Sequence, residues 1–291
     1  MGRWLIVGSG GMLGRDLLAA LATNGADVVG LTRRELDVTD EAAVRAALRD
    51  CRPDVVVNCA AWTAVDDAES HEYEAFRVNA RGAAHLAAAC ADGPGARQIR
   101  LVHMSTDCVF AGNARRPYSE HDTAAPSSAY GRSKLAGEQA VLMRLPRTAY
   151  VARSAWLYGA HGPNFVSTMI RLERERPAVY VIDDQRGQPT WTVDVARQIV
   201  ALVRSRATPG VYHATSSGEA TCLEVAREVF RLLGADPSRV RPKPGSARAR
   251  PARRPSYSVL GHDAWAAIGV EPIGDWRTAL RQAFPALTAA G

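Results

Sequence analysis

The first half of the chain alternates short apolar runs with segments of helical periodicity, and this alternation limits the possible folds most strongly. The apolar runs predict strands at Trp4–Val7, Val28–Leu31, Val55–Val57, Ile99–Met104 and Ala149–Ala152. The segments with apolar residues at helical spacing predict helices at Met12–Ala22, Glu41–Leu48, Tyr73–Ala91 and Ala129–Met143. Continuous apolar strands separated by helices are typical of a parallel sheet covered on both faces. The sequence therefore predicts an α/β fold with a doubly wound parallel sheet.

The alternation becomes less regular after about Gly159. Strands are predicted at Val179–Ile182 and Val211–His213, and helices at Val193–Arg204 and Leu223–Leu233. Ligands of open α/β sheets bind beyond the carboxyl ends of the strands, so a later segment folded over that edge would close a cleft. We therefore expect the second half of the chain to supply the contacts to a substrate.

A glycine-rich loop follows the first predicted strand and opens the first predicted helix. Glycines let the backbone turn tightly and approach a pyrophosphate, and the amides and dipole of the helix favour an anion. The alternative, a tight turn without a ligand, is weakened by the strong patterning on both sides of the loop. The loop predicts a dinucleotide site formed by Gly8, Gly10, Gly11, Met12, Leu13 and Gly14.

The residues after the second predicted strand bear on which dinucleotide binds. The run Thr32–Asp37 lacks the acidic residue immediately after the strand that usually binds a ribose hydroxyl of NAD. Arg33 stands near that place, where a cation would suit the additional phosphate of NADP, although a surface arginine is the alternative. Asp37 and the following Val38 are placed to meet the adenine. We predict NADPH as the cofactor, with NADH possible.

Tyr130 and Lys134 lie four residues apart in a predicted helix and therefore on the same face of it. A phenol ordinarily titrates near ~10, and a neighbouring ammonium favours the phenolate and lowers this pKa. Ser105-Thr106-Asp107 and the glycine loop lie upstream of the pair. Together these elements predict a hydride-transfer site in which Tyr130 donates a proton.

The formal net charge of +6 is concentrated in the segment Pro237–His262, which has seven basic residues and no acidic ones. The basic residues are Arg239, Arg241, Lys243, Arg248, Arg250, Arg253 and Arg254. The prolines and the glycine of the segment predict a solvated, partly mobile loop. One or two of the arginines could instead bind the phosphates of a substrate, because guanidinium matches phosphate oxygens. Binding to DNA is a further alternative, but we predict no nucleic-acid partner.

The spacing of the cysteines and the length of the apolar runs bear on the redox compartment of the protein, on metal binding and on membrane association. The five cysteines are odd in number and scattered, without zinc-like spacing, which favours a reducing cytoplasm and no catalytic metal. Apolar runs stay short of the ~18 residues that span a bilayer. The N-terminal strand runs straight into glycines, so we expect neither a signal peptide nor a membrane association.

Several motifs together resemble the extended short-chain dehydrogenases/reductases, and among them the dTDP-4-dehydrorhamnose reductases. The resemblance extends over nearly the whole chain. The motifs of the broader class are Gly8-x-x-Gly11-x-x-Gly14, Leu36–Asp40, Asn58–Asp66, Val78-Asn79-Ala80, Ser105-Thr106-Asp107 and Tyr130–Lys134. The motifs that favour the reductases over other sugar-nucleotide enzymes are Arg153–Gly159, Asn164-Phe165-Val166, Asp184–Thr190 and Ala252–Pro255.

The resemblance implies reduction of the C4 ketone of a dTDP-linked 4-keto-6-deoxyhexose by NAD(P)H. Tyr130 would donate the proton, Thr106 would hydrogen-bond the same oxygen, and Lys134 would lower the pKa of Tyr130 and bind the nicotinamide ribose. Substrate contacts are implied for Thr106, Asp107, Trp156 and, at the diphosphate, Arg254. Further cofactor contacts are implied for Ala60, Ala61, Thr63, Asn79, Tyr130 and Lys134.

The implied architecture is a Rossmann-like NAD(P)-binding domain with a smaller C-terminal substrate-binding domain. We assign residues 1–160 to the first domain, with 191–215 returning to it, and residues 161–190 and 216–291 to the second. A monomer or a homodimer is expected. Some relatives dimerise through magnesium-bridged acidic residues, but Asp16 offers a shorter arm at the relevant position, and we predict no such bridge.

Other functions stay open at this point. Cys108 replaces the tyrosine usual in the family's Ser-Thr-Asp-Tyr-Val-Phe run, so the ketosugar is uncertain, and a 4-ketoreductase of an antibiotic deoxysugar, including the dihydrostreptose type, is an alternative. A sugar-nucleotide epimerase or dehydratase of the same fold would recycle NAD. A non-catalytic NADP-binding regulatory subunit is disfavoured because Thr106, Tyr130 and Lys134 are all retained.

Overall fold

The computed structural model describes residues 2–93, 98–205, 207–244 and 250–289. The strands are β1 (Trp4–Val7), β2 (Val28–Leu31), β3 (Val55–Asn58), β4 (Arg100–Thr106), β5 (Ala149–Ser154), β6 (Leu157–Tyr158), β7 (Val179–Ile182), β8 (Arg186–Gly187), β9 (Thr190–Trp191), β10 (Gly210–His213), β11 (Ala220–Thr221) and β12 (Val240–Lys243). The helices are α1 (Met12–Thr23), α2 (Glu41–Cys51), α3 (Glu72–Phe76), α4 (Gly82–Ala91), α5 (Ala129–Arg144), α6 (Phe165–Glu175), α7 (Thr192–Arg204), α8 (Cys222–Leu232), α9 (Asp263–Ala267) and α10 (Trp276–Ala289). Short 3₁₀ turns cover Asp67–Glu69, Asp107–Val109 and Pro237–Arg239.

Six strands form a parallel sheet in the spatial order β2-β1-β3-β4-β5-β10. The chain moves from β1 to β2 on one side and returns to place β3 on the other side of β1. This reversal creates a crevice between the loops that follow β1 and β3, which is where ligands of such sheets bind. The predicted doubly wound parallel sheet is confirmed.

Helices cover both faces of the sheet because successive strand residues point to opposite sides. One face packs against α1 and α7, and its buried residues include Ile6, Leu17, Val57, Val102 and Ile199. The other packs against α2, α4 and α5, and its buried residues include Leu5, Val44, Val56, Leu86 and Val141. The strands are therefore apolar along their whole length, as the sequence pattern indicated.

The predicted helix Tyr73–Ala91 is interrupted by a π-helical turn at Arg77–Arg81. Asn79 lies in this turn, and its backbone oxygen approaches α5 so closely that a Cβ at Gly137 would lie 2.2 Å from it. The extra residue of a π turn displaces one carbonyl from the regular helical ladder, and such turns often occur near functional sites. The continuous helix predicted from periodicity is wrong here, because a π insertion leaves the apolar pattern on either side unchanged.

A further apolar core lies among α6, β7, α8, β12 and α10. It is centred on buried residues that include Ile170, Val181, Phe230, Val240 and Leu280. In contrast, α7 and β10 belong to the central sheet, since α7 packs on α1 and β10 pairs with β5. The division of the chain into two domains stays a prediction.

The start of the basic segment is ordered, contrary to the expectation of a solvated loop. Val240 is buried in β12, and the Arg239 guanidinium binds the Glu173 carboxylate at 2.7 Å and stacks on Phe230. Arg248 lies outside the described residues. Sequence composition could not show that Arg239 has an acidic partner on a distant helix.

Residues 250–260, which we call the crossing segment, connect the two halves of the molecule. Ser256 donates its backbone N–H to Gly112, and Ser258 donates to Arg186. Leu260 donates to the side chain of Gln188 at 2.8 Å. The segment therefore passes over the carboxyl edge of the sheet.

Among the described residues, no helix combines the length and the apolar character that crossing a membrane requires.

Candidate active site

Thr106 is the last residue of β4, and its side chain is fixed by the turn that follows. Its hydroxyl accepts a hydrogen bond from the Cys108 N–H at 3.1 Å and lies 3.0 Å from Asp107 Oδ1, to which it donates. Thr106 is 6% exposed. The turn thus holds the hydroxyl at the carboxyl edge of the sheet.

The start of α5 brings Tyr130 to this edge. Ser128 caps the helix by accepting from Gly131 N–H at 3.1 Å, and Glu69 accepts from Ala129 N–H at 2.8 Å. A Cβ at Gly131 would lie 2.2 Å from the Cys108 carbonyl oxygen, so glycine is required for this close approach. The Tyr130 phenol is hydrogen-bonded with Thr106.

The pKa of the Tyr130 phenol is raised above its ordinary value, mainly because the phenol is buried. The negative charge of Asp107 acts in the same direction, while the hydrogen bond with Thr106 lowers the pKa. The expectation that Lys134 lowers this pKa is therefore wrong for the protein alone. Spacing in a helix placed the two residues on one face, but it could not weigh burial against the charge of the lysine.

Lys134 is 2% exposed and donates from Nζ to the Met104 carbonyl oxygen at 2.6 Å. Burial lowers the pKa of Lys134 to about 8, and the negative charge of Glu138 opposes this shift. The ammonium is thus fixed beneath the end of β4, within the same site as Thr106 and Tyr130.

The glycine loop has the shape of a cradle for a pyrophosphate. Gly8 adopts a φ of +78°, and a Cβ there would lie 2.7 Å from Ala60 N. A Cβ at Gly10 would lie 3.4 Å from the Thr32 side chain, and one at Gly11 would lie 3.4 Å from the Gly8 oxygen, which are ordinary van der Waals contacts. Within the described chain, no side chain caps α1 at Gly11. The N–H groups of the first helical turn are therefore available to an anion, and the loop fits a dinucleotide.

The other loop residues predicted to bind the cofactor differ in their surroundings. Met12 lies at the start of α1, where a Cβ at Gly159 would lie 3.2 Å from its side chain, and Leu13 is in the core. A Cβ at Gly14 would lie 2.5 Å from the Gly8 oxygen. Gly14 therefore serves the close packing of α1 on the loop.

Beyond β2, Arg33 is exposed and Val38 is buried in the core. Asp37 Oδ1 accepts from the Thr39 N–H at 2.9 Å, and this bond lowers the pKa of the carboxyl. The nearest acidic residue, Glu35, accepts from the Thr32 N–H and hydroxyl, both at 2.8 Å. The exposed Arg33 lies close enough to Asp37 for its charge also to lower the pKa of that carboxyl.

The loop after β3 is held by Asn79. The Asn79 amide accepts from Trp62 N–H at 2.8 Å and donates to the Trp62 carbonyl and, at 2.9 Å, to Ser133. Asn79 is 1% exposed, so its contacts join the loop to α5. Thr63 is exposed, and Ala60 and Ala61 are partly buried beside the glycine loop. Their contacts to a cofactor stay a prediction.

Trp156 adopts a φ of +45°, a left-handed conformation that is uncommon outside glycine. Its indole lies against the backbone of Gly187, where a Cβ would approach Cε2 to 2.6 Å. Backbone strain of this kind concentrates at functional sites. The ring is partly buried beside the second core, which agrees with either packing or substrate contact.

Asp107 and Arg254 reach the site from opposite walls. Asp107 is 5% exposed and is hydrogen-bonded with Thr106 and with Ser258 of the crossing segment, and burial raises its pKa. The Arg254 guanidinium lies 2.9 Å from Asp66 Oδ2. It borders a cleft of about 240 Å³ with residues that include Asp184, Gln185, Arg250 and Ser256.

A buried ion pair behind Lys134 was not found by sequence reasoning. Glu138 accepts from Arg153 at 2.9 and 2.7 Å, and the two residues are 2% and 5% exposed. Glu138 follows Tyr130 and Lys134 at the same spacing of four, and this periodicity was the available signal. The pair joins α5 to β5.

Among the described residues, no group of three or more His, Cys, Asp or Glu side chains could hold a metal ion. Asp16 is turned inward and accepts a hydrogen bond from the Thr192 hydroxyl at 2.5 Å. The absence of a magnesium-bridged dimer stays a prediction.

The doubly wound sheet, the glycine cradle and the Thr106–Tyr130–Lys134 arrangement define an oxidoreductase of the short-chain dehydrogenase/reductase class. A family profile described as RmlD substrate binding domain matches residues 2–289. The chain belongs to this family, as its motifs indicated.

Two relatives and one solved structure illustrate the similarity. The chain is 57% identical to a dTDP-4-keto-6-deoxy-D-glucose reductase of Streptomyces niveus, over 99% of this chain and 98% of that one. It is 54% identical to a dTDP-4-dehydrorhamnose reductase of Streptomyces griseus, over 98% and 94%. A dTDP-4-dehydrorhamnose reductase of Bacillus anthracis, solved in complex with NADP, superposes with a TM-score of 0.92 at 34% identity, over 98% and 99% of the chains.

Proposed function

We propose that this protein reduces the C4 ketone of a dTDP-linked 4-keto-6-deoxyhexose with NAD(P)H, completing an activated deoxysugar. The observation that carries the proposal is the joint position of Thr106 and Tyr130 at the carboxyl end of β4, above the buried Lys134. The names of the relatives support the substrate class, because two reductases of dTDP-4-ketosugars match this chain over nearly its whole length.

The residues of the chain supply the proton and the orientation. Bound NAD(P)H provides the hydride that adds to C4 of the sugar. Tyr130 holds its proton because burial raises its pKa, and it donates that proton to the C4 oxygen as the ketone becomes an alcohol. The Thr106 hydroxyl, which donates to Asp107 in the structure, turns its proton to the same oxygen when the sugar is bound and stabilises the negative charge that develops there. Lys134 contributes a positive charge and orients the cofactor ribose.

NADPH is the preferred cofactor in this proposal. The start of α1, which no described side chain caps at Gly11, supports a pyrophosphate there, and the exposed Arg33 suits the 2′-phosphate. The NADP complex of the Bacillus anthracis reductase supports the same choice.

The sugar lies between Trp156 and the catalytic residues, with its diphosphate at Arg254. A flat indole suits the methyl-bearing face of a deoxysugar. The enzyme acts in the cytoplasm as a monomer or a homodimer, which agrees with five free cysteines.

The test is an NADPH-oxidation assay with a panel of dTDP-4-keto-6-deoxyhexoses, followed by determination of the C4 configuration of each product. We expect stoichiometric loss of NADPH with at least one ketosugar, and the configuration distinguishes rhamnose-type reduction from other deoxysugars. A ketosugar converted without loss of NADPH would instead show a recycling epimerase.

The pKa of Lys134 leads to a pH prediction. Because this pKa is lowered to about 8, the ammonium loses its charge at a lower pH than an ordinary lysine, and kcat/KM for NADPH is expected to fall as the pH rises above about 8. Tyr130 keeps its proton in that range because its own pKa is raised. A pH–rate profile checks this expectation.

Lys134→Arg is the matched comparison, because guanidinium stays charged at every working pH. Even if this variant is slower, its profile should lose the decline above about pH 8. If the decline of kcat/KM is unchanged in this variant, a group other than Lys134 causes it.

A further inference from the structure

The Asp66 carboxylate is bound to the hydrogen-bond donors that an anionic ligand would need. Its Oδ2 lies 2.9 Å from an Arg254 guanidinium nitrogen, and its Oδ1 accepts from the Ala252 N–H at 3.3 Å. A guanidinium next to a backbone N–H is the kind of donor set that binds phosphate oxygens. The carboxylate therefore satisfies the same groups that a diphosphate would use.

These donors lie on the path from the catalytic residues to the cleft. Arg254 lies close enough to Cys108 for its charge to act on that thiol, and the Cys108 N–H donates to the Thr106 hydroxyl. Arg254 also lines the cleft of about 240 Å³, together with Ala252 and Arg250. An anion bound by Arg254 would thus lie at the cleft and near the catalytic residues.

Breaking the Asp66–Arg254 ion pair costs little free energy. The Asp66 side chain is 41% exposed and that of Arg254 is 20% exposed. Ion pairs at such exposed positions contribute little stability. Asp66 comes from the loop after β3, whereas Arg254 belongs to the crossing segment, so the contact spans the opening between the two walls.

We propose that Asp66 is an internal competitor for the nucleotide diphosphate and sets the affinity of the enzyme for its dTDP-linked substrate. This inference rests on the proposed function. The incoming diphosphate displaces the carboxylate from Arg254 and from the Ala252 N–H. When the product leaves, Asp66 returns to these donors, so its charge lowers the affinity for substrate and product alike and favours release.

The test measures binding of dTDP and of thymidine to the NADPH-loaded protein by calorimetry, for the wild type, Asp66→Asn and Asp66→Ser. Both variants remove the competing charge and keep a polar side chain. We expect the Kd for dTDP to fall by about two- to fivefold, as for loss of an exposed ion-pair competitor, and the Kd for thymidine to stay unchanged. The KM for the ketosugar nucleotide should fall in parallel.

Asp92→Asn is the control, since Asp92 has a similar exposure of 43% and binds Arg45 and Arg144 at 2.8 and 2.7 Å. This variant should bind dTDP like the wild type. If removal of the Asp66 charge weakens dTDP binding or leaves it unchanged, Asp66 is not a competitor and the inference is overturned. If the wild type binds no dTDP at all, the proposed function fails and this inference with it.

Discussion

Tyr130→Phe is expected to lower kcat by a factor of about 10² to 10⁴, the range for loss of a general acid. The change deletes only the phenolic oxygen that is hydrogen-bonded with Thr106. The ring keeps its packing against Ala68, Ala75 and Ala129, so the fold and the affinity for NADPH should change little. Stopped-flow measurement of NADPH oxidation gives the rate, and fluorescence titration gives the affinity.

Tyr73→Phe is the control for this prediction. Tyr73 is 61% exposed on α3, and removal of its hydroxyl should leave kcat unaltered. A Tyr130→Phe protein that retains wild-type turnover would show that the proton comes from another group.

Glu138→Gln is expected to lower the free energy of unfolding by about 3–5 kcal/mol, because breaking a buried ion pair leaves one charge without its partner. The Arg153 guanidinium is 5% exposed and would lose the carboxylate that binds it at two positions. Urea unfolding followed by circular dichroism measures the change.

A double variant, Glu138→Gln with Arg153→Met, separates the charge from the packing. Replacing both members of a buried pair with apolar groups of similar volume is often nearly neutral, and because the glutamine amide stays buried without a partner, only part of the stability should return. Glu72→Gln is the surface control, because its pair with Arg132 is about half exposed and should contribute roughly 0–1 kcal/mol. Equal losses for Glu138→Gln and Glu72→Gln would contradict the account.

The central sheet was predictable because its strands are short and buried on both faces. Apolar runs such as Val55–Val57 are bounded by polar or turn residues, and each matches an observed strand within a few residues. The glycine loop was predictable for the same reason, since its position between β1 and α1 is fixed by chain order alone. The local sequence pattern was therefore enough to predict the architecture of the sheet.

Contacts between distant segments were not predictable from local pattern. The pKa of Tyr130 depends on burial among Cys108, Asp107 and Thr106, and the partner of Arg254 is a carboxylate nearly two hundred residues earlier in the chain. The π turn at Arg77–Arg81 depends on the approach of Asn79 to Gly137. Each of these features is set by tertiary packing, which helical spacing and composition do not encode.

Deuterium transfer tests the central claim most directly. The protein is incubated with NADPH carrying two deuterons at the nicotinamide C4 and with the ketosugar nucleotide that the panel identifies, and the product is analysed by mass spectrometry and NMR. We predict one deuteron at C4 of the sugar for each NADPH consumed. A converted sugar without deuterium, with the NADPH unconsumed, would contradict reduction by this site.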